Sequence, residues 1–280
     1  MKRKFSKVRF VLLLFLLSIL FLILWSFVIE PRLLVIHQQT IHVAGWPSKF
    51  GELKVAALSD IHAGSPHVSL SRVDSIVART NELKPDLILL LGDYISRESQ
   101  SHRYMEPEKV AKIFSRFEAP LGTIAVLGNH DWWFSGDRSR LALEKNGIVV
   151  LENEPRAIQR NGTQIWIYGV ADLWTRHPDF GRLEEVPSGD FVIAITHNPD
   201  IFPRAPDRVR LTLAGHTHGG QVNLPFFGRP WLSSPYGQKY AAGLIREGDQ
   251  QLFITTGIGT SIAPVRFRVP PEISLLTIGP

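Results

Sequence analysis

The chain contains no cysteine. Disulfides, thiolate nucleophiles and cysteine-based zinc sites are therefore excluded, and any metal must be held by nitrogen and oxygen ligands. There is no internal repeat, no low-complexity tract beyond the leader and no linker-like stretch, so a single domain is expected from about residue 45 to 280. Excess charge is also missing where it would matter. The sequence carries 31 Lys+Arg against 26 Asp+Glu. Five of the basic residues are Lys2, Arg3, Lys4, Lys7 and Arg9, and without them the balance is 26 against 26. A nominally neutral domain lacks the basic surface of a nucleic-acid reader, so no DNA or RNA partner is expected.

One long apolar run is present. Phe10 to Ile29 is interrupted only by Ser18 and Ser26 and carries no charge, enough to cross a bilayer as a helix. The run passes into Trp25-Ser26-Phe27-Val28-Ile29-Glu30-Pro31 with no small-residue cut site, so a retained anchor over residues 10–29 is expected rather than a cleaved signal. The basic leader, residues 1–9, places the N-terminus in the cytoplasm and the remainder on the outer face. Residues 30–44 then form a connecting segment with a first strand.

The informative pattern lies beyond the anchor. Five short apolar runs each end in residues able to hold a metal ion. Val55–Leu58 leads to Asp60 and His62, Leu87–Leu91 to Asp93, and Ile124–Leu127 to Asn129 and His130. Phe191–Ile195 leads to His197, and Leu211–Ala214 to His216 and His218. Such runs read as buried strands, alternating with helices over about 69–83, 107–117 and 137–146. A β-rich middle at 148–170 and a second βα stretch from Asp190 to about Ala214 follow. Strands at 221–224, 240–246, 251–256 and 273–278 complete the chain. In open α/β sheets the loops past the carboxyl ends of strands build the site. Asp60/His62 and His216/His218 are i, i+2 pairs, which face one way in extended chain. Glycines at 92, 128 and 215 permit sharp turns out of the strands. The remaining histidines, His37, His42, His67, His102 and His177, lie outside the pattern and read as surface or structural residues.

In order, Asp60-x-His62, Gly92-Asp93, Gly128-Asn129-His130-Asp131, His197 and Gly215-His216-x-His218 resemble the signature of the calcineurin-like metallophosphoesterases. Thr196-His197-Asn198-Pro199-Asp200 and Gly215-His216-Thr217-His218-Gly219-Gly220-Gln221 look like its YkuE/YaeI-type bacterial, membrane-attached branch. The tail motif Gly257-Ile258-Gly259, with Pro264, Arg266 and Pro271-Glu272, does so too. The resemblance covers about residues 50 to 278. It implies an α/β fold, a two-sheet β-sandwich flanked by helices, with a dinuclear site. Carried over by position, Asp60, His62, Asp93 and His218 would hold one divalent ion, with Asp93 bridging, and Asn129, His197 and His216 the second. His130 would contact the substrate phosphate. Mixed N/O shells suit Mn²⁺, Fe, Zn²⁺ or Co²⁺.

The implied chemistry is metal-dependent hydrolysis of a phosphodiester or pyrophosphate. Two ions about 3.5–4 Å apart clamp the attacking and leaving oxygens and supply hydroxide near neutral pH. His130 would stabilise the transition state or protonate the leaving oxygen. Asp131 is either its orienting partner or a turn former. Tyr94, Asn198 and Gln221 are candidate substrate contacts. Gly92-Asp93-Tyr94-Ile95-Ser96-Arg97 lacks the second Asp of the protein Ser/Thr phosphatases, and Ser96 stands where purple acid phosphatases carry a Tyr ligand.

Apolar residues crowd the motifs: Trp132, Trp133 and Phe134, then Leu173 and Trp174, then Pro225, Phe226, Phe227, Trp231 and Leu232. With the anchor they point to a membrane lipid or lipid-linked phosphate as partner, in a bacterial cytoplasmic membrane. One such substrate class is the UDP-2,3-diacylglucosamine type of lipid A assembly, which requires the domain to face the cytosol instead. The alternatives are a phosphodiesterase or nuclease acting on soluble nucleotides or nucleic acid, and a non-catalytic metal-bound scaffold.

Overall fold

The computed structural model describes residues 7–96 and 104–280. The leader residues Lys2, Arg3 and Lys4, together with Arg97 and His102, lie outside the described residues. Among the described residues, twelve strands form two six-stranded sheets. The first sheet holds β1 (Val35–His42), β2 (Leu53–Leu58), β3 (Leu87–Leu90), β4 (Thr123–Ala125), β5 (Val149–Val150) and β12 (Glu272–Gly279), in the order β1-β12-β2-β3-β4-β5. The second holds β6 (Glu154–Arg160), β7 (Thr163–Gly169), β8 (Phe191–Ile195), β9 (Val209–Ala214), β10 (Gly243–Glu247) and β11 (Gln250–Ile254), in the order β10-β11-β9-β8-β7-β6.

Strands β2 to β5 run parallel, as do β7, β8 and β9. Parallel strands need crossovers. In the first sheet these are helices α2 (Leu70–Glu82), α3 (Pro107–Phe114) and α4 (Asn129–Lys145). The alternation of side chains along each strand divides the interior. Val55, Ala57, Leu87, Leu89 and Ile124 face the second sheet, meeting Ile165, Ile167, Ile193, Leu211 and Phe253. Ala56, Leu58, Ile88 and Leu90 face the helices, meeting Val73, Ile76, Val110, Phe114 and Leu143. Because β3 is covered on both faces, all four of its residues are buried, which explains its unbroken Leu-Ile-Leu-Leu run.

Three sequence expectations are corrected. Helix α4 begins at Asn129, well ahead of position 137. Its first segment breaks at Ser135, where φ is −176°, and that interruption hid the periodicity. The connection between β8 and β9 is a 3₁₀ segment, Pro199–Arg204, with Pro199 at its start and Pro203 inside, and prolines forbid a longer helix there. Residues 221–224 form no strand. They make only isolated bridges, Val222 to Phe267 and Leu224 to Gly228.

The apolar segment is helical from Lys7 to Leu24 (α1) and continues as a π turn, Trp25–Ile29. Its buried share is 6% over the most apolar window, as for a helix whose apolar faces look outward. Its base is fastened to the domain. The Ser26 carbonyl accepts from the Arg266 amide at 2.9 Å. Glu30, itself buried, accepts from the Trp25 indole at 2.6 Å and from the Val269 amide at 2.7 Å. Arg72 donates to the Arg32 and Leu33 carbonyls at 2.9 Å each.

Candidate metal centre

The parallel strands deliver their carboxyl ends to one rim, and the loops leaving them are braced against each other. Asp60 N donates to Gly92 O, His62 N to Asp93 O and Ala63 N to Tyr94 O, at 2.9–3.0 Å. Ile258 N and Gly259 N donate to Ser59 O and Asp60 O. These loops close only because side chains are missing at several glycines, Gly92 and Gly215 among them. A Cβ on Gly92 would lie 2.6 Å from Gly128 N and 2.8 Å from His197 Nδ1, and one on Gly215 would collide with Ser59. Gly92 also has φ +94°.

Asp60, His62, Asp93, Asn129, His197, His216 and His218 all meet at this rim, each almost fully buried. His62 Nε2 is 3.1 Å from His218 Nε2 and 3.6 Å from Asp93 Oδ2. His218 Nε2 is 3.3 Å from Asp60 Oδ1. On the other side, His197 Nε2 lies 3.2 Å from Asp93 Oδ2, 3.1 Å from Asn129 Oδ1 and 3.1 Å from His216 Nδ1. Asp93 thus stands between two groups of donors. Its Oδ1 accepts from the His130 amide at 2.8 Å.

Five of these residues, Asp60, His62, Asp93, His216 and His218, have left-handed backbones, with φ from 47° to 71°. That conformation costs an L-residue about 1–2 kcal/mol. Strain of this kind persists only where surrounding structure imposes it, and it gathers at functional sites. Nothing in packing alone calls for it at five donor residues in one cluster.

The electrostatics agree with cation binding. Burial, reinforced by neighbouring histidines, holds His62, His216 and His218 well below the usual imidazole range, so their rings are neutral. Burial, with Asp93 nearby, pushes Asp60 up to about 6. Burial would also raise Asp93, but the His197 charge and its hydrogen bond outweigh it and keep that carboxylate ionised. Burial would lower His197, yet Asp93, then Asp60 and Asp172, raise it to about 10. Asp60 Oδ1, His216 Nε2, His62 Nδ1 and His218 Nδ1 are buried without a hydrogen-bond partner. Asp60 Oδ1 lies 3.3 Å from His218 Nε2 yet makes no hydrogen bond. Buried polar atoms left without partners of their own fit a cation, and three sets of metal-binding groups here fall within the spacing of a metal shell: Asp60/His62/His218, His62/Asp93/His130 and Asp60/Asp93/His197. Nitrogen and oxygen donors without sulfur suit a first-row divalent metal.

Of the remaining candidates, His130 stays at the site. It is half-buried, with its ring 4.6 Å from that of His62 and 5.0 Å from Trp133, and its Nδ1 has no partner. Asp131 does not orient it. The Asp131 carboxylate accepts from the amides of Asp93 (2.8 Å), Gly128 (3.0 Å) and Tyr94 (3.0 Å) and so staples two donor loops together. Tyr94 is no substrate contact either. Its ring is buried and its hydroxyl donates to the Leu90 and Val126 carbonyls. Gln221 holds the adjoining loop, donating to Ala263 O at 3.1 Å and accepting from Ser261 N at 2.7 Å. Asn198 caps the 3₁₀ turn through Oδ1, while its amide nitrogen is buried and unpartnered.

One residue, Asp172, was missed, and the part played by the motif residue Arg266 was not visible in the sequence. Asp172, past the end of β7, accepts from Trp174 N, Thr175 N and the Thr175 hydroxyl. Trp174 is thereby set edge-on to His216, with ring centroids 4.3 Å apart, and 6.2 Å from Trp133. The signal was present, since Ile165–Val170 followed by Asp172 repeats the strand-then-acid pattern. Arg266, fully buried, donates to the carbonyls of Thr256, Gly259 and Val269 at 2.7–3.1 Å and so fixes the loop beneath Asp60.

Comparison with known proteins accords with this geometry. Residues 53–220 match the family model described as calcineurin-like phosphoesterase. The chain is 32% identical over 254 residues to the uncharacterized metallophosphoesterase YkuE of Bacillus subtilis, covering 89% of this chain and 87% of that one. It is 32% identical over 236 residues to the phosphodiesterase YaeI of Escherichia coli, covering 80% and 82%. A Danio rerio transmembrane protein with a metallophosphoesterase domain is 30% identical over 249 residues, which span 83% of this chain and 54% of that relative. With its two mixed sheets and its rim of carboxylates and imidazoles, the chain belongs to the calcineurin-like metallophosphoesterases.

Proposed function

We propose that this metallophosphoesterase is anchored in a membrane by α1 and hydrolyses a phosphodiester or pyrophosphate in a lipid-linked substrate. The observation that carries the reading is the junction of helix and site. The base of α1 is bonded to the loop 256–269, and the same loop lies against Asp60. The names of the Escherichia coli and Danio rerio relatives, a phosphodiesterase and a transmembrane protein, support its two halves.

Bound by Asp60, His62, Asp93 and His218 on one side and Asn129, His197 and His216 on the other, two divalent ions would supply Lewis acidity and water activated near neutral pH. The chain's own groups do the rest. Asp93 sets the spacing of the two donor groups. His130, at the rim, donates a hydrogen bond to a phosphate oxygen and delivers a proton to the departing oxygen. Asn198 offers its free amide N–H to the same phosphate. Trp133 and Trp174, both exposed, form an apolar wall for the group beyond the scissile bond. By the positive-inside tendency the leader charges favour a domain on the outer face of the membrane.

The test uses the full chain in lipid nanodiscs, loaded with Mn²⁺ and offered phospholipids, UDP-diacylglucosamine-type lipids, soluble nucleotides and DNA. Turnover confined to the lipid substrates is expected, and preference for soluble nucleotides or DNA overturns the lipid assignment. In the same preparation His130→Ala should keep its metal while losing hydrolysis of bis-p-nitrophenyl phosphate by about 10²-fold or more. Unchanged turnover removes the role given to His130. Protease accessibility on intact cells decides the face.

A further inference from the structure

Four large apolar side chains on the site's own rim are turned fully outward: Phe226 (105% exposed), Ile262 (96%), Phe227 (83%) and Trp231 (71%). Two of them are held there at a cost. Phe226 has φ +67° and Ile262 φ +63°, a conformation that is a true outlier for bulky and β-branched residues. Neither the folded interior nor local backbone preference favours this arrangement. Scattered apolar residues need no explanation, but a rim cluster of this size marks a contact surface.

Its position says what covers it. The stretch Gln221–Leu224 leaves the His218 loop and runs beside residues 266–267, with Phe267 N donating to Gln221 O and Asn223 N to Phe267 O. Leu224 and Gly228 close a tight turn that carries Phe226 and Phe227 at its tip. Ile262 sits on the loop whose next contacts are the base of α1, through Arg266 N to Ser26 O and Val269 N to Glu30. His67 Nε2, 3.3 Å from Pro264 O, braces that loop from the other side. The loops that carry the apolar tips are thus bonded to the end of the apolar helix and to each other, and the exposed Arg268 follows Phe267 on the same stretch, where anionic headgroups attract basic side chains.

We infer that the Phe226–Phe227 turn, Trp231 and Ile262 dip into the interfacial layer of the bilayer beside α1, a second attachment that holds the mouth of the metal centre against the lipid surface. The inference rests on the reading of α1 as a membrane span. It names the partner as the membrane itself and gives the rim loops the task of presenting the site to a substrate that never leaves the lipid. Aromatic and branched side chains at headgroup depth are favourable in that layer.

Absence of cysteine makes the test direct. Phe226→Cys, Ile262→Cys, Ile19→Cys and Leu141→Cys, each the sole cysteine in an otherwise intact chain, are labelled with an environment-sensitive fluorophore and reconstituted into vesicles. Quenchers are placed at shallow or deep positions on the lipid chains. Labels at 226 and 262 should lose most of their emission to the shallow quencher, the label at 19 to the deep one, and the label at 141, on the exposed face of α4, to neither. Quenching at 19 without quenching at 226 and 262 overturns the inference and leaves the span intact. A blue shift at 226 and 262 that lipid quenchers do not touch places the patch against protein, a second copy included, and also overturns it. No quenching at 19 removes the span and the inference with it.

Discussion

His197 Nδ1 lies 2.8 Å from the carbonyl oxygen of Leu91. A carbonyl only accepts, so Nδ1 carries the hydrogen and Nε2 is turned toward Asp93, Asn129 and His216. An outer partner of this kind is what orients a metal-ligating imidazole.

Metal uptake should therefore release protons. In the metal-free protein Asp93 holds the His197 proton up to about pH 10, and the ion must displace it. Affinity should climb by about tenfold per pH unit between pH 6 and 8. Near and below pH 6, where Asp60 also takes up a proton, the climb should steepen. Calorimetry of Mn²⁺ binding in buffers of different ionisation heat measures the protons released; a pH-independent affinity would show that His197 is not displaced.

Asp93 stands between the two donor groups, whereas Asn129 belongs to one. Asp93→Ala should lose both ions, and Asn129→Ala should retain one. Elemental analysis of each purified variant reads the stoichiometry directly, and two ions in the Asp93 variant would contradict the bridging position.

Asp131 acts on the fold. Removing its carboxylate leaves four buried amides, those of Asp93, Gly128, Tyr94 and Ile95, without acceptors, at about 1–3 kcal/mol for such a buried loss. Asp131→Ala should lower the melting temperature by several degrees and weaken metal binding, since both loops carry donors. If instead the melting temperature is unchanged and only the pH profile moves, the residue serves His130 after all.

Trp174→Ala should raise KM for the lipid-linked substrate more than it lowers kcat, with bis-p-nitrophenyl phosphate less affected, because the indole flanks the phosphate site without entering it. A loss confined to kcat would place Trp174 in the chemistry instead.

Much of this arrangement could be read from the residues alone. Strand ends declare themselves when an apolar run stops at Gly-Asp or at His-x-His, and the parallel order of β2, β3, β4, β8 and β9 sends those ends to one edge. What the sequence hides is backbone conformation. Nothing about Asp60, His62 or His218 announces a left-handed φ, because context imposes it. The roles of Tyr94 and Gln221 were misjudged for a related reason. Proximity to a motif is visible in a sequence, while the direction in which a side chain leaves the backbone is not. Asp172 was legible and overlooked, its strand being lost within a β-rich middle. Helix α4 was shortened because the break at Ser135 divides its periodicity.

With α1 read as a membrane span, as proposed above, the clasp of Glu30 on Trp25 and Val269 has a kinetic meaning. An enzyme on a slack leash explores a half-sphere of solution and meets whatever diffuses there. A catalytic unit riveted to its stem at a set height explores only a thin film, in which its targets move in two dimensions. Selectivity would then begin with geometry: molecules outside that film are refused before any pocket has examined them.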